Sequence, residues 1–310
     1  MENEILVDLS PLFRQYKSGQ LERLAGTVVA DAAPVDDATG VTARRVVIDP
    51  STPLHACLYL PPDPSPNLPI LVYFHGGAFC IGSAFSPTYH PHLIALSASA
   101  RLLVASVDYR LAPEHPLPAA YDDCWAALLW TISPQADPWI RLHGDQGRIF
   151  LAGDSAGANI AHRVAVRAGR EGLVEVEGAA LVHPYFWGSS PVGKEGREEG
   201  WRRWMDELWR AVSGGKKGLD HEWINPAAEA EGAVAGMGCR RLLVCVAERD
   251  PMRERGAAYY EMVKRSGWKG EAELVETEGE SHIFHLEKPE EHPKVQELTN
   301  KLVSFFSKPL

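Results

Sequence analysis

Apolar residues fall into three spacings along this chain, and each spacing asks for a different element. Continuous runs occur at Ile70-Leu-Val-Tyr-Phe74, Leu102–Asp108, Ile149-Phe-Leu-Ala152, Gly178–Phe186 and Leu242-Leu-Val-Cys-Val-Ala247. Runs of that length fit strands buried on both faces. Alternation at Ala56, Leu58 and Leu60 marks a strand over Leu54–Leu60, preceded by one over Val41–Asp49, and Ala272–Glu276 adds another. A helical stripe joins Tyr121, Trp125, Leu128, Leu129 and Ile132; others join Ala156, Ile160 and Val164, and Val295, Leu298, Leu302, Phe305 and Phe306. Pro91 suits the first turn of a helix running to about Ala100. Strand and helix alternate through the middle of the chain, which predicts an α/β domain. Its sheet is mostly parallel, with helices on both faces and ligands at the carboxyl ends of the strands.

Two stretches break the alternation. Residues 1–40 are mostly polar and read as an N-terminal arm, with Leu12, Phe13 and Tyr16 on one face of a short helix. Residues 187–225 are rich in glycine and charge around one aromatic stretch, Trp201-Arg-Arg-Trp204-Met-Asp-Glu-Leu208-Trp209. Trp201, Trp204, Met205, Leu208 and Trp209 share a helical face. An amphipathic aromatic helix inserted after a sheet strand suits a cap over an apolar pocket, and Trp201, Trp204 and Leu208 are its candidate lining. The alternative is a helix packed on the core that touches no substrate. We expect a single domain over 1–310 that includes both stretches.

Composition narrows the partners. The net charge is −10 with no basic run, which argues against nucleic acid and against an anionic membrane surface. No apolar run reaches the length of a membrane span. The five cysteines are scattered and lack C-x-x-C spacing, so they read as reduced thiols and not as a zinc site. The acidic Met1-Glu-Asn-Glu start has no apolar signal region, and with the thiols it leads to an expectation of cytoplasmic residence.

The chemistry sits at two strand ends. Gly153-Asp-Ser155-Ala-Gly157 lies between a buried strand and a helix, the context in which G-x-S-x-G forms a tight turn with a strained, outward-facing serine. The helix that follows aims its positive end at that turn. His75-Gly76-Gly77-Ala78-Phe79 follows the earlier buried strand, and its paired glycines let backbone N–H groups converge. With the N–H of Ala156 they would form an oxyanion hole, for which Gly76 and Gly77 are the expected donors. The His75 ring is expected to brace that loop. Arg110 and Glu114, in the loop after Asp108, are read as a structural pair near the turn.

A serine nucleophile needs a base, and the base needs an orienting carboxylate. In this architecture the order along the chain is serine, acid, histidine. Asp206 and Asp220 lie in the insertion. Asp250 stands just past the strand ending at Ala247, where an acid is required, and is preferred over Glu248, two residues nearer the strand. His282 lies in a loop after Ala272–Glu276. His285 is expected to enter the last helix, and His292 to sit at the surface.

Together these pieces resemble the plant carboxylesterases of the hormone-sensitive-lipase-like branch of the α/β-hydrolase fold. The matching stretches are His75–Phe79, Asp108–His115, Gly153–Asn159, Glu248–Gly256 and Gly279–His285, with Tyr16–Arg23 and Thr39–Val41 near the N-terminus. The resemblance covers nearly the whole chain. It implies Ser155 as nucleophile, His282 as base, Asp250 as orienter, and Gly76, Gly77 and Ala156 as oxyanion donors. It also implies a small-molecule ester as substrate, no metal or organic cofactor, and a monomer or homodimer. One departure stands out: many relatives carry a third glycine where this chain has Ala78. The same family holds gibberellin receptors, which have lost the histidine, and 2-hydroxyisoflavanone dehydratases, which keep most of the machinery. A lyase and a non-hydrolytic receptor are therefore the alternatives to an esterase of apolar or aromatic metabolites.

Overall fold

The continuous apolar runs all become interior strands of one eight-stranded sheet. A computed structural model describes residues 4–195, 199–229 and 232–308. The sheet comprises β4 (Thr42–Asp49), β5 (Leu54–Leu60), β6 (Leu68–Phe74), β7 (Leu103–Asp108), β8 (Gly144–Asp154), β9 (Val176–Val182), β10 (Cys239–Ala247) and β11 (Glu271–Thr277). Their order is β11-β10-β9-β8-β6-β7-β5-β4, parallel from β11 to β7 and antiparallel at β5 and β4. This is the α/β-hydrolase architecture.

Alternation explains the runs. In β6, Ile70, Val72 and Phe74 join the core on one face, while Leu71 and Tyr73 join the core on the other. β10 divides the same way, with Leu242, Val244 and Val246 opposite Leu243, Cys245 and Ala247. Each face is covered by helices. α1 (Tyr89–Ala100) and α8 (Pro293–Ser307) pack together on one side. On the other lie α2 (Ala119–Thr131), α4 (Ala156–Glu171) and α6 (Arg253–Arg265), with the short α3 (Pro138–His143) against β8. The one-turn α7 (Phe284–Glu287) precedes α8. No helix among the described residues is long and apolar enough to cross a membrane.

The chain reverses its direction of travel across the sheet between β6 and β8. β6 leads outward to β7, and the chain then returns to lay β8 on β6's other side. Such a switch point opens a crevice at the carboxyl ends of the strands. Phe74 pairs with Gly153, so the two strands deliver His75 and Asp154 side by side.

The N-terminal arm departs from expectation. Leu12, Phe13 and Tyr16 do not share a helix; residues 5–23 form a separate antiparallel sheet of β1 (Ile5–Leu9), β2 (Phe13–Tyr16) and β3 (Leu21–Arg23). Ile5–Leu9 supplies a neighbouring strand on which Phe13–Tyr16 can pair, and Arg14 and Asp8, directly opposite in that register, form an ion pair (3.1 Å). His285 also differs: it lies in α7 and not in the last helix, because Pro289 and Pro293 separate the two. His292 is half-buried at the start of α8, where its ring accepts the N–H of Lys294.

The insertion between β9 and β10 contains α5 (Glu199–Val212). Its start is anchored on α6 by a buried pair, Arg255 to Glu195 (2.7 and 2.8 Å), and Arg202 joins the same carboxylate (3.1 Å). Met205, Leu208 and Trp209 are buried, so the apolar face of α5 is seated and not free.

α4 packs unusually close to the segment before β10. A methyl group on Gly169 would lie 1.8 Å from the Gly236 carbonyl oxygen. Helix propensity alone favours alanine there by about 1 kcal/mol. The clash should reverse the sign, so Gly169→Ala is expected to lose about 3 kcal/mol in chemical denaturation. An unchanged or raised midpoint would contradict the close crossing.

Candidate active site

Ser155 occupies the turn between β8 and α4 at φ 53° and ψ −115°, a conformation that costs a non-glycine residue energy. The turn is tight because glycines let backbone approach backbone. A methyl group on Gly157 would lie 1.9 Å from the Phe74 carbonyl oxygen, and one on Gly153 would lie 2.4 Å from the Gly157 carbonyl carbon. The strain is held from outside: the Ser155 N–H donates to the Val182 carbonyl (2.9 Å) and the Ser155 carbonyl accepts the N–H of Tyr185 (3.0 Å).

The structure brings Ser155, His282 and Asp250 into line. Ser155 Oγ lies 3.0 Å from His282 Nε2, and His282 Nδ1 lies 2.7 Å from Asp250 Oδ2. The second Asp250 oxygen accepts the N–H of Met252 (2.8 Å). Burial pushes the Asp250 carboxyl up, but the hydrogen bond from His282 and the charge beside it outweigh burial and hold it below its ordinary value. It therefore stays ionised and fixes the proton on His282 Nδ1, which leaves Nε2 free to accept from serine. Glu248 does not compete: it is exposed and accepts the N–H of Gly279 (2.7 Å). Asp206 accepts from the Trp187 indole (2.8 Å), and Asp220 caps Ser189.

The expected oxyanion donors, Gly76, Gly77 and Ala156, differ in what their N–H groups meet. The Gly76 N–H is already engaged, donating to Tyr89 Oη (2.7 Å) and Asp154 Oδ1 (3.1 Å). The N–H groups of Gly77, Ala78 and Ala156 meet no acceptor among the described residues, and all three residues lie at or beside the serine turn. In the sequence Ala78 stood out only as the residue in place of a third glycine. It holds φ 53°, a conformation alanine reaches at a cost of about 1 kcal/mol. Gly77 has no such latitude: its φ is 103° and a methyl group there would lie 2.1 Å from the Ile81 carbonyl oxygen. His75 braces the loop as expected, with Nδ1 on the Gly76 carbonyl (2.7 Å) and its ring stacked on Tyr109 at 4.2 Å. Arg110 and Glu114 do not pair with each other. Arg110 grips Asp123 (2.7 Å), whereas Glu114 receives Arg23 from the arm (2.6 Å).

Asp154, inside the serine motif, carries a structural load the sequence did not reveal. It is buried and accepts from Tyr73 Oη (2.9 Å), Tyr89 Oη (3.2 Å) and the Gly76 N–H. It thus joins the serine turn to the glycine loop. Burial outweighs these bonds and pushes its carboxyl up to about 6.

A cavity of about 370 Å³ opens over Ser155. Trp201, Trp204 and Leu208 of α5 line it, with Met205 beside them. The arm adds Leu12, which the sequence marked only as part of an apolar face, and Gly26, which had no signature there. Trp201 and Trp204 stack at 5.3 Å, and the Trp204 indole donates to the Ser10 carbonyl (3.1 Å), so cap and arm meet above the site. Donor atoms of His183, Asp250 and His282 lie within 4.8 Å of one another, close enough for a metal, but Asp250 and His282 are already bonded to each other.

With this geometry in place, the comparisons fix the family. Residues 71–286 match the family described as the alpha/beta hydrolase fold, and the chain belongs to it. It is an enzyme of the ester-hydrolase type, with plant relatives. Tuliposide A-converting enzyme 1, chloroplastic, of Tulipa gesneriana is 48% identical over 92% of this chain and 74% of its own length. Probable carboxylesterase 2 of Arabidopsis thaliana is 41% identical over 93% of this chain and 92% of its own. The 2-hydroxyisoflavanone dehydratase of Glycyrrhiza echinata is 43% identical over 97% and 96%. Among solved structures, a hyperthermophilic esterase from Pyrobaculum calidifontis superposes with a TM-score of 0.73 at 29% identity, covering 86% of this chain and 85% of that one.

These relatives correct the expectation of cytoplasmic residence. The tulip enzymes are named chloroplastic or, at 46% identity, amyloplastic, which points to a plastid. Free cysteines, all buried here, suit any reducing compartment and could not separate the two.

Asp154 makes a pH signature. Its folded carboxyl keeps a proton between about 4 and about 6 that the unfolded chain has released, so its contribution to stability falls as pH rises through that window. The melting temperature of wild type minus that of Asp154→Asn should therefore fall from acid to neutral pH. A difference that is flat, or that rises, would contradict the assignment.

Proposed function

We propose that the protein is a serine carboxylesterase acting on esters of small, largely apolar or aromatic plant metabolites. The observation that carries this reading is the aligned Ser155–His282–Asp250 series opening into an apolar cavity. Ser155 Oγ attacks the ester carbonyl as His282 Nε2 takes its proton. Negative charge develops on the carbonyl oxygen, facing the N–H groups of Gly77, Ala78 and Ala156 at the positive end of α4. His282 then protonates the departing alcohol. Water, deprotonated by the same nitrogen, releases the acid from the acyl-enzyme. No cofactor enters these steps, and nucleic acid is not a partner in this reading.

The cap and arm exclude water and set the size of substrate. The cavity suits a ligand of modest size, and Trp201, Trp204 and Leu208 offer flat apolar contact to an acyl or alcohol group. A second reading, elimination or cyclisation on the same scaffold, is favoured by the identity with the dehydratase. There His282 would act on a bound metabolite and Ser155 would matter little as a nucleophile.

Short p-nitrophenyl esters at neutral pH separate the two. Wild type should hydrolyse them, and Ser155→Ala should lower kcat by about 10⁴-fold or more. A folded wild type without activity would overturn the esterase reading and favour the second. Leu208→Trp, which fills the cavity under the cap, should reduce kcat/KM more for long acyl chains than for acetate. An equal reduction across the series would remove Leu208 from the acyl site.

A further inference from the structure

The turn that leaves β9 grips both halves of the catalytic machinery. Val182 and Tyr185 hold the Ser155 backbone on its two sides, as described above. Between them His183 reaches the other way. Its Nδ1 accepts the N–H of Ile283, the residue next to His282, at 3.1 Å. Ile283 sits at φ 50° at the start of α7, a position that needs an outside hold. His183 is itself pinned: its φ is 49° and its N–H donates to the Cys245 carbonyl (2.8 Å). It is buried, with its ring 5.8 Å from that of His282, 5.6 Å from Phe284 and 5.5 Å from His285.

We propose that His183 is a positioning residue for the base: through Ile283 it sets the height of the His282 loop against the Ser155 turn. The inference rests on the esterase reading but on a different contact. Because Nδ1 accepts, the ring must be neutral with its proton on Nε2, which meets no acceptor among the described residues. Burial keeps the ring neutral, pushing it down to about 3, so the acceptor persists across the working range. A protonated ring would lose the Ile283 bond and repel the imidazolium that forms on His282 during turnover. Two hydrogen bonds to Ser155 and one to Ile283 from a single four-residue turn make nucleophile and base move as one body.

The test compares substitutions that keep or remove the acceptor. His183→Leu should lower kcat on p-nitrophenyl esters by about 10- to 100-fold, with KM changed by less than about threefold, as a misplaced base requires. His183→Asn, whose amide oxygen falls where Nδ1 was, should recover kcat to within about fivefold of wild type. Thermal unfolding of each variant reports whether it is folded. Should the leucine variant not fold, His183→Gln replaces it, since its amide reaches the Nε2 position and should fall with the leucine class. A leucine or glutamine variant with wild-type kcat, or an asparagine variant no better than them, would overturn the proposal. Those outcomes with a Ser155-dependent wild type leave the esterase reading intact, whereas an inert wild type sinks that reading instead.

Discussion

The close approach of β6 and β8 at their carboxyl ends is the constraint on which the site depends. Phe74 pairs with Gly153, and Gly157 then passes so near the Phe74 carbonyl that no side chain fits between. That contact places the glycine loop and the serine turn at one height. Asp154 ties them together through Tyr73, Tyr89 and the Gly76 N–H, at the cost of a buried carboxylate. The N–H groups of Gly77, Ala78 and Ala156, beside Ser155, meet no acceptor among the described residues. In this account the strain at Ser155 and the buried charge at Asp154 are both consequences of bringing two loops together over one pair of strands.

The remaining catalytic groups come from farther along the sheet, and their alignment is an affair of strand ends. Asp250 follows β10 and His282 follows β11, so the series runs across three adjacent parallel strands to β8. The β9 turn lies between and bonds to both sides. The roof is built separately. α5 is seated on the core through Met205, Leu208 and Trp209, and the arm is held by Arg23, which donates to the Cys80 carbonyl (2.8 Å) as well as to Glu114. A pocket whose floor is rigid sheet and whose roof is two docked segments can vary its substrate without disturbing its chemistry.

Much of this was legible in the chain because the signals were local. Continuous runs such as Ile70–Phe74 announced buried strands, and the glycine-flanked serine announced its own turn. Asp250 and His282 were found by their places after strands, without any contact in view. What the sequence hid depended on partners distant along the chain. The arm looked helical because a strand of four residues has little pattern of its own; pairing with Ile5–Leu9 decided it. Gly76 looked like a donor because nothing local shows that Tyr89 and Asp154 claim its N–H. Arg110 and Glu114 looked like a pair by proximity, yet each finds a better-placed partner elsewhere. Compartment was invisible for a different reason: buried thiols report a reducing environment, which more than one compartment provides.

The central claim is that Ser155 forms a covalent acyl intermediate in this site. The most direct measurement is intact-protein and peptide mass spectrometry after brief exposure to a p-nitrophenyl phosphonate. The account predicts one phosphonyl adduct per chain, on the peptide carrying Ser155, with its formation abolished in Ser155→Ala and strongly slowed in His282→Ala. Ester hydrolysis that continues in wild-type protein with no adduct at Ser155, or with the adduct elsewhere, would contradict it.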